Sequence, residues 1–323
     1  MPRLRDLGYS IGRFACGPLN AITDVAGVRV GHITLVEDAR TRTGATAIVP
    51  HGGNLFQQKV PAGFAVLNGF GKFAGSTQIE ELGEIETPIV LTNTLATGRA
   101  IEAIIAHTLD QPGNAAVTSI NAVVGETNDS RLNDIRALRP TVAEIRVAID
   151  AARMGAVAEG AVGAGTGCVA FGVKGGIGTA SRLVEEFTLG VLVQANFGGT
   201  LRVDGLPLAH LPEHDVNGSI VIVLATDAPL CARNLKRLAT RCFGGLARSG
   251  AALSNGSGDY ALAFSVAQGA VLANESMSDL FEAAIEATEE AILNALTMAG
   301  PMQGFDANLS APNLVPALNL MPK

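Results

Sequence analysis

The sequence predicts an α+β protein in which sheets are covered by layers of helices. Three observations lead there. Short apolar runs separated by glycine-rich turns recur along the chain, and many are too apolar to lie half exposed. Amphipathic helical segments stand between them. The 323 residues are 48% hydrophobic and only 16% charged, with no tryptophan, 4% aromatics and 38 glycines. A large core must therefore be built from Ala, Val, Leu and Ile, with many close backbone approaches.

In chain order, "ATAIVP" (45–50), "GFAVLNG" (63–69) and "TPIVLTN" (87–93) are expected strands. "ATGRAIEAIIAHTLDQ" (96–111) is an expected helix with Ile101, Ile104, Ile105 and Leu109 on one face. "VTSINAVVGET" (117–127) is a strand. "TVAEIRVAIDAARMG" (141–155) is a helix opened by Thr141 and Glu144 as a capping box. "GCVAFGV" (167–173), "LGVLVQANFGG" (189–199), "SIVIVLAT" (219–226) and "YALAFSVAQ" (260–268) complete the strands. A helix from Pro229 to Arg248 is expected, with Asp227 as cap, and another over 276–300. The second carries Leu280, Phe281, Ala284, Ile285, Thr288, Ile292 and Leu296 on its apolar face, and Gly300-Pro301 ends it. Residues 200–218, "TLRVDGLPLAHLPEHDVNG", show no periodicity, and so long a structureless loop points to function.

The balance of charge excludes several classes. A net charge of −7 without a basic stripe argues against nucleic acid. Cys16, Cys168, Cys231 and Cys242 and the five histidines lack ligand or disulfide spacing, so no metal and no cofactor is expected. The glycines around Gly163, Gly165 and Gly167 miss the dinucleotide fingerprint and open no helix. Within the same run Cys168 is expected to be a small buried hydrophobe. Lys174 is either structural or turned to a site. No signal peptide and no membrane span are expected, which suits a soluble cytoplasmic protein.

The chemistry concentrates where the 200–218 loop meets an apolar strand, at Gly218-Ser219. As an internal residue Ser219 has no base near it in sequence and no G-x-S-x-G elbow. As a new N-terminus it would be self-sufficient. Its hydroxyl can attack the Gly218 carbonyl in an N→O acyl shift, and water can then open the ester. The freed α-amine, with a reference pKa of about 7.7–8.0, can take the hydroxyl proton. Gly218 permits close approach to that carbonyl.

Several long blocks resemble, in order, those of the DmpA-type aminopeptidases, a family of L-aminopeptidase/D-amino-acid esterase-amidases and β-peptidyl aminopeptidases. They include "RDLGYSIGRFACGPLNAITDVAGVRVGHITL" (5–35), "VVGETNDSRLNDI" (123–135), "GAVGAGTGCVAFGVKGGIGTASR" (160–182), "VLVQANFG" (191–198), "NGSIVIVLATDAPL" (217–230) and "NGSGDYALAFS" (255–265). The resemblance implies a four-layer αββα sandwich, with an Ntn-hydrolase-like layout but different connectivity. It implies one catalytic domain over 1–323 that cuts itself into an α chain, 1–218, and a β chain, 219–323. The partners it implies are short peptides or amino-acid amides and esters, with αβ units assembled as a homo-oligomer, often a tetramer.

The resemblance also assigns residues. Ser219 matches the nucleophile. Ser257 and Asp259 match the serine and acidic residue that orient it, with Asp259 shorter than the glutamate of some members. Asn196 matches an oxyanion donor, and Glu126 a carboxylate near the substrate's free amine. Asn128 stands where some members carry a tyrosine that helps bind the oxyanion, which makes substrate preference less transferable. Two alternatives remain. One is a related amide-bond hydrolase acting on a β-amino-acid peptide or a biosynthetic intermediate. The other is an inactive binding or scaffold protein on the same fold.

Overall fold

Alternation inside the apolar strands sets the architecture. In the strand Ser219–Thr226, Ile220, Ile222 and Leu224 pack into one core cluster, while Val221, Val223 and Ala225 pack into another. Both faces are covered, which is why no polar period appears in "SIVIVLAT". The computed structural model describes residues 1–267 and 269–323.

Its main elements are β1 (Arg29–Glu37), β2 (Thr41–Val49), β3 (Val60–Gly69), β4 (Ile89–Asn93), α1 (Thr97–Leu109), β5 (Val123–Thr127), α2 (Val142–Asp150), β6 (Gly176–Val184), β7 (Phe187–Asn196), β8 (Ser219–Thr226), α3 (Ala232–Arg248), β9 (Gly258–Ser265) and α4 (Met277–Thr297). One sheet runs β1-β2-β4-β5, with the short strand Phe73–Ala74 at its edge. The other runs β6-β7-β8-β9-β3, with Glu84–Ile85 at its edge. Pairing is antiparallel except for β4 with β5 and β8 with β9.

The two sheets face each other through Ile48, Leu91, Val123, Leu192, Val221 and Leu262, among others. α1 and α2 cover the first sheet through Ala100, Ile104, Ile145 and Ile149. α3 and α4 cover the second through Leu235, Leu238, Ile292 and Leu296. The layers are α, β, β, α, as expected. Helices sit close on the strands because glycines face them. A Cβ on Gly178 would run into the Ala291 carbonyl of α4, and one on Gly31 into the Ala148 carbonyl of α2.

Several elements depart from expectation in instructive ways. α1 turns Ala100, Ala103, Ile104 and Thr108 inward, and leaves Leu109 exposed. The small alanines let the helix lie close to its sheet, so Ala100 and Ala103 share the buried face with Ile104, while Ile101 and Ile105 are only half-buried. The capping box of α2 is present, with Thr141 Oγ1 accepting from the Glu144 N–H and Glu144 accepting from the Thr141 N–H. α3 begins at Ala232, not Pro229, because Asp227 accepts a hydrogen bond from the Thr188 N–H instead of capping a helix. Within 117–127 only Val123–Thr127 is a strand, and 167–173 holds just the residue pairs Val169–Ala170 and Val173–Lys174 of a tight ladder. The strand expected over 260–268 is Gly258–Ser265, and its last residue, Gln268, lies outside the described residues. Residues 200–218 hold a small hairpin, Arg202–Val203 against Leu206–Pro207, with Leu201 and Val203 buried.

Two of the main strands, β1 and β6, are not among those expected, and neither are the short edge strands nor the C-terminal hairpin of Met302–Asp306 with Ala311–Val315. β6 reads "GIGTASRLV", with two glycines, polar residues and a buried arginine. Its polar groups are consumed by tertiary contacts. Arg182, fully buried, donates to Glu286 and Glu290 of α4 and to the Ile11 carbonyl, while Ser181 donates to Asp24. Those contacts tie the N-terminal segment to α4 and cannot be read from local periodicity.

Candidate active site

Ser219 begins β8, and its register places it between two strands. Across the antiparallel pair it stands opposite Asn196, the last residue of β7. Directly opposite residues have Cβ atoms roughly 4.5–5.5 Å apart. By strand alternation Asn196 shares the inter-sheet face with Leu192 and Gln194, and Ser219 shares it with Val221. On the parallel side Ser219 stands opposite Gly258. The Gly258 N–H lies 3.2 Å from Ser219 Oγ and 3.1 Å from the Gly218 carbonyl oxygen. One donor thus serves both the hydroxyl and the carbonyl that precedes it. Gly218 must be glycine here, because a Cβ would run into the Asn196 carbonyl.

These residues open onto a cleft of about 570 Å³, whose walls include Lys72, Glu126, Asn128, Arg131, Asn196 and Ser219. Gly218, Asn217 and Asp215 line it too, so the end of the 200–218 segment lies in the cleft. Val216 packs against Gly198, where no side chain would fit.

The Asn196 amide is oriented by its partners. Its Oδ1 accepts from the Val169 N–H at 2.9 Å, and its Nδ2 donates to the Asn128 carbonyl at 3.0 Å. That leaves the second amide N–H for the cleft that Asn196 lines. Val169 is held in turn by Lys174. This lysine is fully buried, and its ammonium donates to the carbonyls of Gly165, Cys168 and Gly175. Burial lowers its pKa to about 8. Lys174 therefore belongs to the frame behind Asn196 and does not face the cleft. Cys168 is buried beside it, with burial raising its thiol pKa, as suits a small hydrophobe.

Ser257 and Asp259 flank Gly258, the residue opposite Ser219, and both are buried. Ser257 Oγ donates to Asp259 Oδ1 at 2.6 Å, and the Ser257 carbonyl accepts from the Asn68 amide. Asp259 Oδ2 is buried with no hydrogen-bond partner among the described residues. Burial raises the carboxyl's pKa, and the Ser257 hydrogen bond opposes that rise. The register of β9 against β3 slips between Asp259 and Tyr260, an irregularity of the kind that re-aims side chains beside active sites.

Glu126, at the end of β5, is buried. It accepts from the Lys72 N–H at 2.8 Å and lies 3.5 Å from Lys72 Nζ. Asn128 lines the cleft, yet its side-chain oxygen is taken by the Ser130 N–H, and its main-chain oxygen is what meets Asn196. Lys72, Arg131, Asp215, Gly258 and Asn308 also belong to this region and were not singled out from the sequence. Lys72, Arg131, Asp215 and Asn308 sit in loops and turns with no periodicity, and Gly258, the first residue of β9, acts through its backbone, which leaves no residue-type signal.

The chain matches the model of Peptidase family S58 over residues 20–310. The chain belongs to that family. It is 40% identical to the beta-peptidyl aminopeptidase BapA of Sphingosinicella microcystinivorans, a match covering 94% of this chain and 88% of the relative. Two solved structures share the architecture found here. A Burkholderia sp. beta-aminopeptidase is 41% identical with a TM-score of 0.91, covering 98% of this chain and 96% of that one. The L-aminopeptidase D-Ala-esterase/amidase of Ochrobactrum anthropi is 38% identical with a TM-score of 0.89, covering 99% and 96%. The latter is described as a prototype for the serine aminopeptidases and a variant among the Ntn-hydrolase fold. As an S58 member the protein is an enzyme of the serine aminopeptidase class, and the scaffold alternative is not favoured. Among the described residues there is no cluster fit to hold a metal ion and no helix long and apolar enough to cross a membrane.

Proposed function

We propose that this S58 enzyme cuts itself between Gly218 and Ser219 and then removes N-terminal residues from short peptides, amides or esters. The observation that carries the reading is the Gly258 N–H shared by the Gly218 carbonyl and Ser219 Oγ. An N–H so placed polarises the carbonyl while holding the attacking oxygen beside it. Ser219 Oγ adds to the Gly218 carbonyl carbon, the C–N bond to Ser219 breaks, and the acyl group passes to oxygen while the hydroxyl proton passes to the departing nitrogen. Water then hydrolyses the ester, which leaves a Gly218 carboxylate and a free Ser219 α-amine. The pieces 1–218 and 219–323 remain associated, because β8 pairs along its full length with β7 across the cut.

In the mature enzyme the Ser219 α-amine accepts the hydroxyl proton as Oγ attacks the substrate carbonyl. Asn196 donates to the oxyanion. The departing amine takes the proton back, and water clears the acyl-enzyme by the same route. Glu126 meets the substrate's ammonium, a pairing that a desolvated charge requires and a blocked N-terminus cannot supply. The unpartnered Asp259 Oδ2 suits the new ammonium, a donor that exists only after cleavage. The assembly we infer is a cytoplasmic homo-oligomer of αβ units, for which the exposed Val66, Leu67 and Phe70 at the end of β3 offer apolar surface.

Intact mass and a denaturing gel of purified protein test the cleavage. Two fragments, one beginning at Ser219, are expected, and a persistent single chain would overturn the reading. Asp259→Asn supplies a pH test. Loss of a neighbouring negative charge lowers the α-amine's pKa, so the acidic limb of the kcat/KM profile should move to lower pH while kcat falls. An unmoved limb removes Asp259 from that role. Lys174→Met should lower kcat far more than it changes KM, because it frees the turn that orients Asn196. Losing an oxyanion donor outright costs about 10²–10³ and sets the ceiling. Equal changes in both constants would deny Lys174 a positioning role.

A further inference from the structure

Four charged side chains line the cleft, and they fall into two pairs. Glu126 is matched by Lys72. Arg131 is matched by Asp215, with Nη2 lying 3.4 Å from the Asp215 carboxylate and 3.5 Å from its carbonyl oxygen. The second pair differs from the first in where its members sit in the chain. Asp215 lies on the segment that ends at Gly218, so cleavage turns it into part of a free chain end. Arg131 lies on a turn that is anchored on several sides. The Arg131 carbonyl accepts from Asn313 Nδ2, and Ser130 Oγ accepts from Asn308 Nδ2. Leu132 is fully buried against Val169 and Val315. Residues 215–218 line the cleft, so on the proposed maturation a substrate entering it displaces the freed end; Asp215 then goes with that end and Arg131 stays. A partly buried guanidinium then faces the cleft without its counter-ion, and its rigid fork of donors matches a carboxylate in geometry and charge.

Resting on the proposed maturation and peptidase activity, we propose that Arg131 is a specificity-determining residue that reads a carboxylate on the substrate. Asp215 holds that place in the uncut chain. The carboxylate can be the free C-terminus of a dipeptide or tripeptide, or an acidic side chain on the residue being removed. In either case the cleft recognises a zwitterion. Glu126 takes the ammonium and Arg131 the carboxylate; where that carboxylate is the C-terminus, short unblocked substrates are favoured over long or amidated ones.

The test compares two substrate series at low salt, for wild type and for Arg131→Gln. In the first, an aminoacyl-glycine is set against its C-terminal amide. In the second, an aspartyl p-nitroanilide is set against the alanyl one. A charge-assisted contact predicts that one series favours the carboxylate substrate by roughly tenfold to a hundredfold in kcat/KM, mostly through KM. That ratio should fall towards one in Arg131→Gln, and in wild type it should shrink as salt is raised. Preference in the first series identifies the C-terminus as the ligand, and preference in the second identifies the side chain. Ratios near one in both series for wild type overturn the proposal without recourse to a variant, as does a preference that Arg131→Gln retains. A wild-type protein that hydrolyses none of the four compounds, or other aminoacyl anilides, counts against the peptidase reading itself. Fragment patterns on a denaturing gel show whether both proteins have matured.

Discussion

Ser219→Ala leaves a single 33.1 kDa chain with no measurable aminopeptidase activity. Both losses come from one oxygen atom. Alanine has nothing to attack the Gly218 carbonyl with, so no new N-terminus forms. Without that N-terminus there is neither nucleophile nor α-amine base. Removing a nucleophile that acts as one unit with its base costs on the order of 10⁶ in kcat in serine hydrolases. The fold should survive, since Ser219 is the first residue of β8 and, among the described residues, its side chain gives up only the Gly258 contact. Circular dichroism and thermal unfolding close to wild type, beside an uncut band and lost hydrolysis of aminoacyl anilides, are the expected results. Retained hydrolysis by an uncut Ser219→Ala chain would sink the mechanism. A Ser219→Cys chain adds a finer comparison. It keeps a nucleophile at the same position and should still process, if at a different rate.

Arg182→Met has the largest expected effect on stability. The guanidinium is wholly buried between β6 and α4, where it bonds Glu286 at 3.0 Å and Glu290 at 2.8 Å. Glu290 is held further by Arg5 and Asn20, and Glu286 accepts main-chain N–H groups from Arg13 and Phe14. Methionine fills much of the volume but leaves two buried carboxylates short of their cation. Breaking such a cluster from one side costs about 3–5 kcal/mol. An unfolding free energy lowered by that amount in denaturant titration is expected, together with early loosening of residues 3–24 in hydrogen exchange. A change below roughly 1 kcal/mol would mean that solvent reaches the cluster. The exposed pair Lys236–Glu80 is the natural control, and Lys236→Ala should leave the midpoint nearly unchanged.

Legibility differed by residue type. Ser219, Asn196, Glu126, Ser257 and Asp259 could be named from the chain because they sit at strand ends in blocks that resemble a known family. The structure gathers Ser219, Asn196 and Glu126 on one cleft and sets Ser257 and Asp259 on either side of Gly258. The role of Lys174 was open, since a lone charge in a glycine run suits either a frame or a site. Three carbonyls at hydrogen-bond distance decide for the frame. Arg131 and Asp215 gave no sign at all. They lie 84 positions apart, and neither belongs to a periodic element.

The amino-acid order alone determines that apolar strands and amphipathic helices must stack as covered sheets, because strands greasy on both faces cannot meet water. It also determines that a glycine and a serine meet where a long loop becomes a buried strand. Only the tertiary structure decides that β7 and β9 flank β8, and so that Asn196 and Gly258 stand on either side of Ser219. Strand neighbours are chosen by long-range pairing and helix packing, to which local periodicity is blind. The same holds for β6, whose glycines and buried arginine look like a turn until α4 lies against them.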